Sequence, residues 1–162
     1  MMDNSRKAPN FRRKHPAHKA PVWSHNRPCV LHVTLVQRAN GPLLTRPDTQ
    51  TAFVDCWRKT RDWIVGYYLI MPEHIHFFCA PARSDAEAVR HWCGYWKRLV
   101  GHQLQELKSG WLPDCWDTQM RNEAHYWRKL EYVRMNPVRR GLVETPEQWP
   151  YAGNVCEIPW IL

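Results

Sequence analysis

The stretch that most constrains this chain is "WIVGYYLIMPEHIHFFCAP", residues 63–81. It reads as two apolar, β-rich runs joined by a Met-Pro-Glu turn, a hairpin with little room for anything else. Successive side chains of a strand alternate faces, so His74 and His76 share one face and Ile75 points to the other. Two imidazoles on one face, close to a strand end, can share a metal ion. An isolated His-x-His pair also occurs on plain solvated sheet faces, and spacing alone leaves both readings open.

The segments around the hairpin supply the rest of a sheet. "CVLHVTLVQRA" (29–39) is β-branched and alternating, which predicts a strand. "DTQTAFVDCWRKTRDW" predicts a helix capped by Asp48 or Thr49, with Phe53, Val54 and Trp57 on its inner side. After the hairpin, Ser84 or Asp85 is the expected cap of a long helix, "DAEAVRHWCGYWKRLVGHQLQEL". A short edge strand is expected at 116–121. "NEAHYWRKLEYVRM" predicts a last helix ending near Asn136-Pro137, because Pro disfavours helix in the residue before it. The order β-α-β-β-α-(β)-α predicts one antiparallel sheet with helices on one face. That is a ferredoxin-like α+β domain with the histidine motif on a central strand. Residues 1–27, rich in Pro, Lys, Arg and His, read as a flexible basic arm. Residues 28–162 read as one domain whose tail, "VETPEQWPYAGNVCEIPWIL", is irregular.

Charge narrows the partners. The chain has 162 residues with 23 Lys+Arg against 15 Asp+Glu, a net +8, which suits a polyanion because neutralised phosphates release counterions. Ten Trp, six Tyr and four Phe add rings on which unpaired bases can stack, although most such rings serve a core. The six cysteines form no CxxC pair, and the charged amino terminus shows no apolar leader segment; both predict buried thiols in a reducing cytoplasm. No run approaches the roughly 18 apolar residues of a membrane span, so no membrane partner is expected.

About sixty residues after the histidines comes "YWRKLEYVRMNPVRRGLV". In a helix Tyr132 and Asn136 are i and i+4, one turn apart on one face. An amide oxygen is a hard metal ligand and a phenol a nucleophile, while Arg128, Arg139 and Arg140 supply charge for phosphates. From spacing alone Tyr132 reads rather as a half-buried core tyrosine.

Taken together, "MPEHIHFFCAP", "WKR", "WDTQMRNEAHYWRKLEYVRMNPVRRGLV" and "WPYAG" resemble the REP-associated tyrosine transposases, single-tyrosine members of the HUH (His-apolar-His) endonucleases. The resemblance runs from about Pro28 to Trp160. It implies a metal pair at His74 and His76, completed by Asn136, and a nucleophile at Tyr132. Glu73 stands where Asn or Asp is frequent in that family, and Arg140 where Ala is frequent. Tyr126 is a rival nucleophile, but six residues earlier it points roughly 120° away around a helix.

The activity so implied is cleavage and transfer of single-stranded DNA at hairpin-bearing repeats through a 5′-phosphotyrosine. Mg²⁺ or Mn²⁺ is the implied cofactor, and the chain is expected to act as a monomer or homodimer near the bacterial nucleoid. Arg128, Lys129, Arg139 and Arg140 are the expected DNA contacts. Two other readings stand beside it: a catalytically silent DNA-binding regulator, and an HxH phosphohydrolase. The classical histidine-triad hydrolases carry a third alternating histidine, and Phe78 occupies that position here.

Overall fold

A computed structural model describes residues 23–24, 27–28, 30–38 and 41–158. Two dipeptides, β1 (Trp23–Ser24) and β2 (Arg27–Pro28), pair antiparallel. The rest of the expected basic arm lies outside the described residues.

The main sheet is built from β3 (Leu31–Val36), β4 (Trp63–Ile70), β5 (His74–Pro81), β6 (Trp116–Gln119) and β7 (Ala152–Asn154). Its order is β6-β3-β5-β4-β7, with every neighbouring pair antiparallel. The first four of these strands, with α1 (Pro47–Lys59) and α2 (Val89–Gln103) between them, follow the ferredoxin-like order. The histidine strand is central, buried along its whole length. The expectation of an α+β antiparallel sheet is met, and no helix among the described residues is long and apolar enough to cross a membrane.

The strand alternation sorts the core into two layers. Leu31, Val33, Leu35, Ile75, Phe77 and Cys79 point to the side covered by α1 and α2, where they meet Phe53, Trp57, Trp92 and Trp96. Val30, Leu69, Phe78 and Ala80 point the other way, toward Tyr126 and Val133 of α3 (Glu123–Arg134). The expected layer of helices on one face is therefore α1 and α2; α3 crosses the opposite face, the one that carries the histidines. Gln50 ties α1 to the sheet by donating to Tyr68 Oη at 2.9 Å, Cys56 Sγ faces the Trp96 carbonyl of α2 at 3.9 Å, and a register shift between Val65 and Tyr68 in β4 keeps Tyr68 and Ile70 on the α1/α2 side.

Helix starts differ from the sequence reading. The first helix begins at Pro47 after Arg46, because Pro suits the first helical position and Asp48 is drawn into a bidentate pair with Arg46. The second begins at Val89, since Arg83 claims the Asp85 carboxylate that was expected to cap it. The third starts as expected, with Asn122 accepting from the His125 backbone N–H.

The tail differs too: it contributes β7, three residues beside β4, too short for a periodicity signal. Of the described cysteines Cys56, Cys79, Cys93 and Cys115 are buried thiols, and Cys156 is exposed.

Candidate active site

Beta-strand alternation places His32, Thr34, His74 and His76 on the α3 side of the sheet, with Thr34 directly opposite His76 in the β3–β5 ladder. His74 is 1% exposed and His76 6%. Their rings meet edge to face with centroids 4.7 Å apart.

Asn136 closes the pair. Its Nδ2 lies 3.3 Å from His74 Nε2 and 3.0 Å from His76 Nε2. An amide N–H donates, so both Nε2 atoms present lone pairs to one point. The far nitrogens are held as donors. His74 Nδ1 donates to Glu73 at 3.1 Å, and His76 Nδ1 faces Thr34 Oγ1 at 2.9 Å and His32 Nε2 at 3.2 Å. All four ring nitrogens are thereby satisfied, and the tautomer that keeps Nε2 free is fixed from behind.

Electrostatics reinforce this. Burial pushes the His76 imidazole well below its usual range, and the neighbouring His74, His32, Lys129 and Arg139 push it further. Burial likewise keeps His32 neutral, with Lys129 as the next cause. Glu73 behaves oppositely. Burial raises its carboxyl, but hydrogen bonds from His74 and Arg140 outweigh that and hold it at about 2. Arg140 binds Glu73 through its guanidinium, tying the helical end of the site to the start of β5.

The reason Asn136 reaches the histidines is a break in the helix. Pro137 has no N–H for the Val133 carbonyl, so α3 stops at Arg134 and a short turn, α4 (Asn136–Arg139), resumes after Met135. Asn136 opens that turn. The expected i, i+4 stacking on a continuous helix is replaced by this re-aimed turn. Gly141, at φ +66°, then ends α4 with Gly141 and Leu142 donating back to Val138 and Pro137, the paired bonds of a Schellman end. That places Arg140 at the cap, facing Glu73.

Tyr132 is 57% exposed, on the face of α3 open to solvent. The Arg139 guanidinium lies 4.0 Å from its ring centroid and the Lys129 ammonium 5.3 Å. The charges of both cations also act on His76. Lys129 is partly buried, which lowers its pKa. Tyr126, the rival, is buried against Phe78 with ring centroids 5.0 Å apart. Arg128 and Trp127 are exposed on the same helix.

The structure thus brings together His74, His76 and Asn136, and sets Tyr132, Lys129 and Arg139 beside one another. Arg128 stands apart in solvent, and Arg140 is engaged by Glu73. The sequence reading missed His32 and Thr34. Their signal lay in the alternation of "LHVTLV", visible only once β3 is paired with β5.

Among the described residues no cluster of three or more His, Cys, Asp and Glu side chains is arranged for a metal. Two imidazoles and an amide nonetheless fit a divalent cation: their lone pairs converge, and turning the Asn136 amide over presents Oδ1 in place of Nδ2. The carboxylate behind His74 is the usual outer partner of a metal-binding imidazole.

No family model matches the chain. It is 25% identical over 95 residues to a REP-associated tyrosine transposase of Escherichia coli (strain K12), spanning 59% of this chain and 56% of that one. A Haemophilus influenzae protein carrying the same family name is 30% identical over 97 residues, 51% of this chain and 54% of that one. The chain spans about half the length of the curated relatives it matches. A solved structure of a REP-associated tyrosine transposase bound to a REP hairpin superposes with a TM-score of 0.70 at 23% identity, covering 85% of this chain and 81% of the other. The resemblance to this group read from the motifs therefore recurs in sequence over somewhat more than half of the chain, and in fold.

Proposed function

We propose that the chain is a single-strand DNA endonuclease and strand transferase acting at hairpin-bearing repeats. The observation that carries this is the convergence of the His74 and His76 Nε2 lone pairs on Asn136, together with an exposed Tyr132 flanked by Lys129 and Arg139, whose charges also act on His76. The hairpin substrate is carried over from the solved relative, which is bound to one.

His74, His76 and the Asn136 amide oxygen would hold a divalent cation, Mg²⁺ or Mn²⁺, which when bound polarises the scissile phosphate. Tyr132 Oη attacks the phosphorus. The new bond is Oη–P, the bond to the 3′ oxygen breaks, and that oxygen leaves as a hydroxyl with the phenolic proton replaced on it. The result is a 5′-phosphotyrosine. Lys129 and Arg139 offset the negative charge that builds on the phenol and phosphate. Attack by a 3′-hydroxyl on the adduct reverses the sequence and joins strands without a nucleotide cofactor. Glu73, Arg140, Thr34 and His32 fix the two imidazoles in the tautomer that the chemistry requires.

The test is incubation of the protein with hairpin-bearing oligonucleotides and Mn²⁺, scored for a covalent adduct on a denaturing gel. The parent should form the adduct, Tyr132→Phe should not, and Tyr126→Phe should match the parent. Hairpin binding without an adduct would make the chain a binding module. Cleavage that survives Tyr132→Phe would mean a water-using hydrolase or another nucleophile.

A further inference from the structure

On the side of the sheet away from the histidines, the second half of α2 and residues 108–111 enclose a cavity of about 330 Å³. Its wall carries Lys97, Arg98, Lys108 and His102, and no carboxylate lines it. The remaining features are an indole, Trp111, and a bare patch of helix at Gly94.

Each part has a structural reason or conspicuously lacks one. Trp111 is rigidly set: its N–H donates to the Leu107 carbonyl at 2.8 Å, and its ring stands edge-on to Phe53 and Trp96. Lys97 Nζ lies over that ring, 5.8 Å from the centroid, and reaches the Leu112 carbonyl at 3.4 Å. Gly101 is needed for packing, since a Cβ there would stand 3.1 Å from the Lys108 Cα. Gly94 has no such need. A Cβ at that position would meet only Arg98 Nη1, at an ordinary 3.6 Å. Glycine inside a helix is destabilising relative to alanine, so what Gly94 provides is space.

Three basic side chains around an anchored aromatic face suit a ligand that is at once anionic and planar. A bare phosphate would leave the indole unused; an apolar ligand would leave the cations unused. A nucleotide uses both, by stacking its base and pairing its phosphates.

The location fits a strand rather than a free nucleotide. Gln37 bridges Trp111 on one side, and on the other its backbone N–H donates to the Glu73 carbonyl, one residue before His74. Trp111 and the start of the histidine strand therefore flank one position of the sheet, roughly 10 Å apart at two strand spacings. We propose that this cavity binds one unpaired nucleotide of the DNA strand near the scissile phosphate. Trp111 stacks on the base, and Lys97, Arg98 and Lys108 hold the adjoining phosphates as the strand passes round the end of the sheet. This rests on the reading of the chain as a single-strand DNA enzyme.

The experiment uses the full chain and a short oligothymidylate carrying iododeoxyuridine. Irradiation should cross-link the oligonucleotide to the peptide containing Trp111. Gly94→Leu fills the cavity with a good helix former. It should remove that cross-link and weaken strand binding about tenfold while leaving the circular dichroism unchanged. Lys108→Ala should lower the salt dependence of binding by about one phosphate contact. Parent-like binding by Gly94→Leu, or cross-links that avoid Trp111, would overturn the proposal, as would thymidine monophosphate binding as tightly as the strand. A Trp111 cross-link without any covalent adduct on hairpin DNA would count against the transposase reading and leave the cavity standing. An adduct formed normally by Gly94→Leu with undiminished affinity would do the reverse.

Discussion

The two faces of one strand make the clearest contrast in the molecule. Toward α1 and α2, β5 presents Ile75, Phe77 and Cys79 to a layer of stacked and edge-on rings. On that side packing dominates so fully that the buried indole N–H groups of Trp57, Trp92 and Trp96 have no acceptor among the described residues. Toward α3 the same strand presents His74 and His76, and there every ring nitrogen has a partner. A buried polar group left unpaired costs about 1–3 kcal/mol. The α1/α2 side accepts that in exchange for ring packing; the α3 side has been built to avoid it. One face specifies the fold, the other holds two imidazoles in a chosen orientation, and the register of β5 decides which is which.

The sharpest way to break this contrast is to cut each face once. Phe77→Ala should cost about 3–5 kcal/mol and depress the unfolding midpoint by roughly 10 °C. His76→Ala should lower that midpoint by less than half as much, yet reduce adduct formation by more than the roughly 100-fold expected from losing an outer partner. Thermal unfolding and the denaturing gel read the two effects. Equal losses of stability would mean that the histidine face is a second packing core.

A smaller effect tests the support behind the histidines. Glu73→Gln keeps the shape of the side chain but removes the charge that holds His74 and Arg140. Mn²⁺ affinity, followed by calorimetry, should fall about 10- to 100-fold, with the unfolding midpoint nearly unchanged. An unchanged affinity would reduce the Arg140–Glu73–His74 chain to a surface tie.

The faces should also respond differently to acid. His32 and His76 have folded pKa values below the ordinary 6.5, so on acidification the unfolded chain takes up protons that the folded one refuses. Stability is then fully present above about pH 6.5 and falls as pH drops below it, by at most about 1.4 kcal/mol per pH unit for each such histidine. Chemical denaturation at a series of pH values should show a shallower slope in His32→Asn by one proton. An unaltered slope would place the acid sensitivity elsewhere. The smallest effect belongs to Arg128, exposed and outside both networks. Arg128→Ala should weaken DNA binding only a few-fold and reduce the salt slope by about one.

What the sequence made legible was whatever depends on spacing within one element. The hairpin, the shared face of His74 and His76, and the position of Asn136 all came from local periodicity. Asn136 does meet the two histidines, but by a route its spacing did not reveal, because the helix breaks at Met135 and a new turn aims the amide. Partners across the chain were not legible. Thr34 and His32 join His76 only through strand pairing, and Arg140 meets Glu73 from 67 residues away. The two positions noted as departures from the resembling family thus bind each other, which no spacing rule reveals. The missed helix starts have the same origin: Asp48 and Asp85 were plausible caps, but a nearby arginine took each carboxylate.

The lengths of the strands carry one last consequence. The sheet tapers from eight residues in β4 and β5 to four in β6 and three in β7 at its margins. A long bare margin would be a template onto which another chain could crystallise strand by strand. Stubby margins deny it that foothold, so crowded copies of this chain can sit side by side without knitting their sheets together.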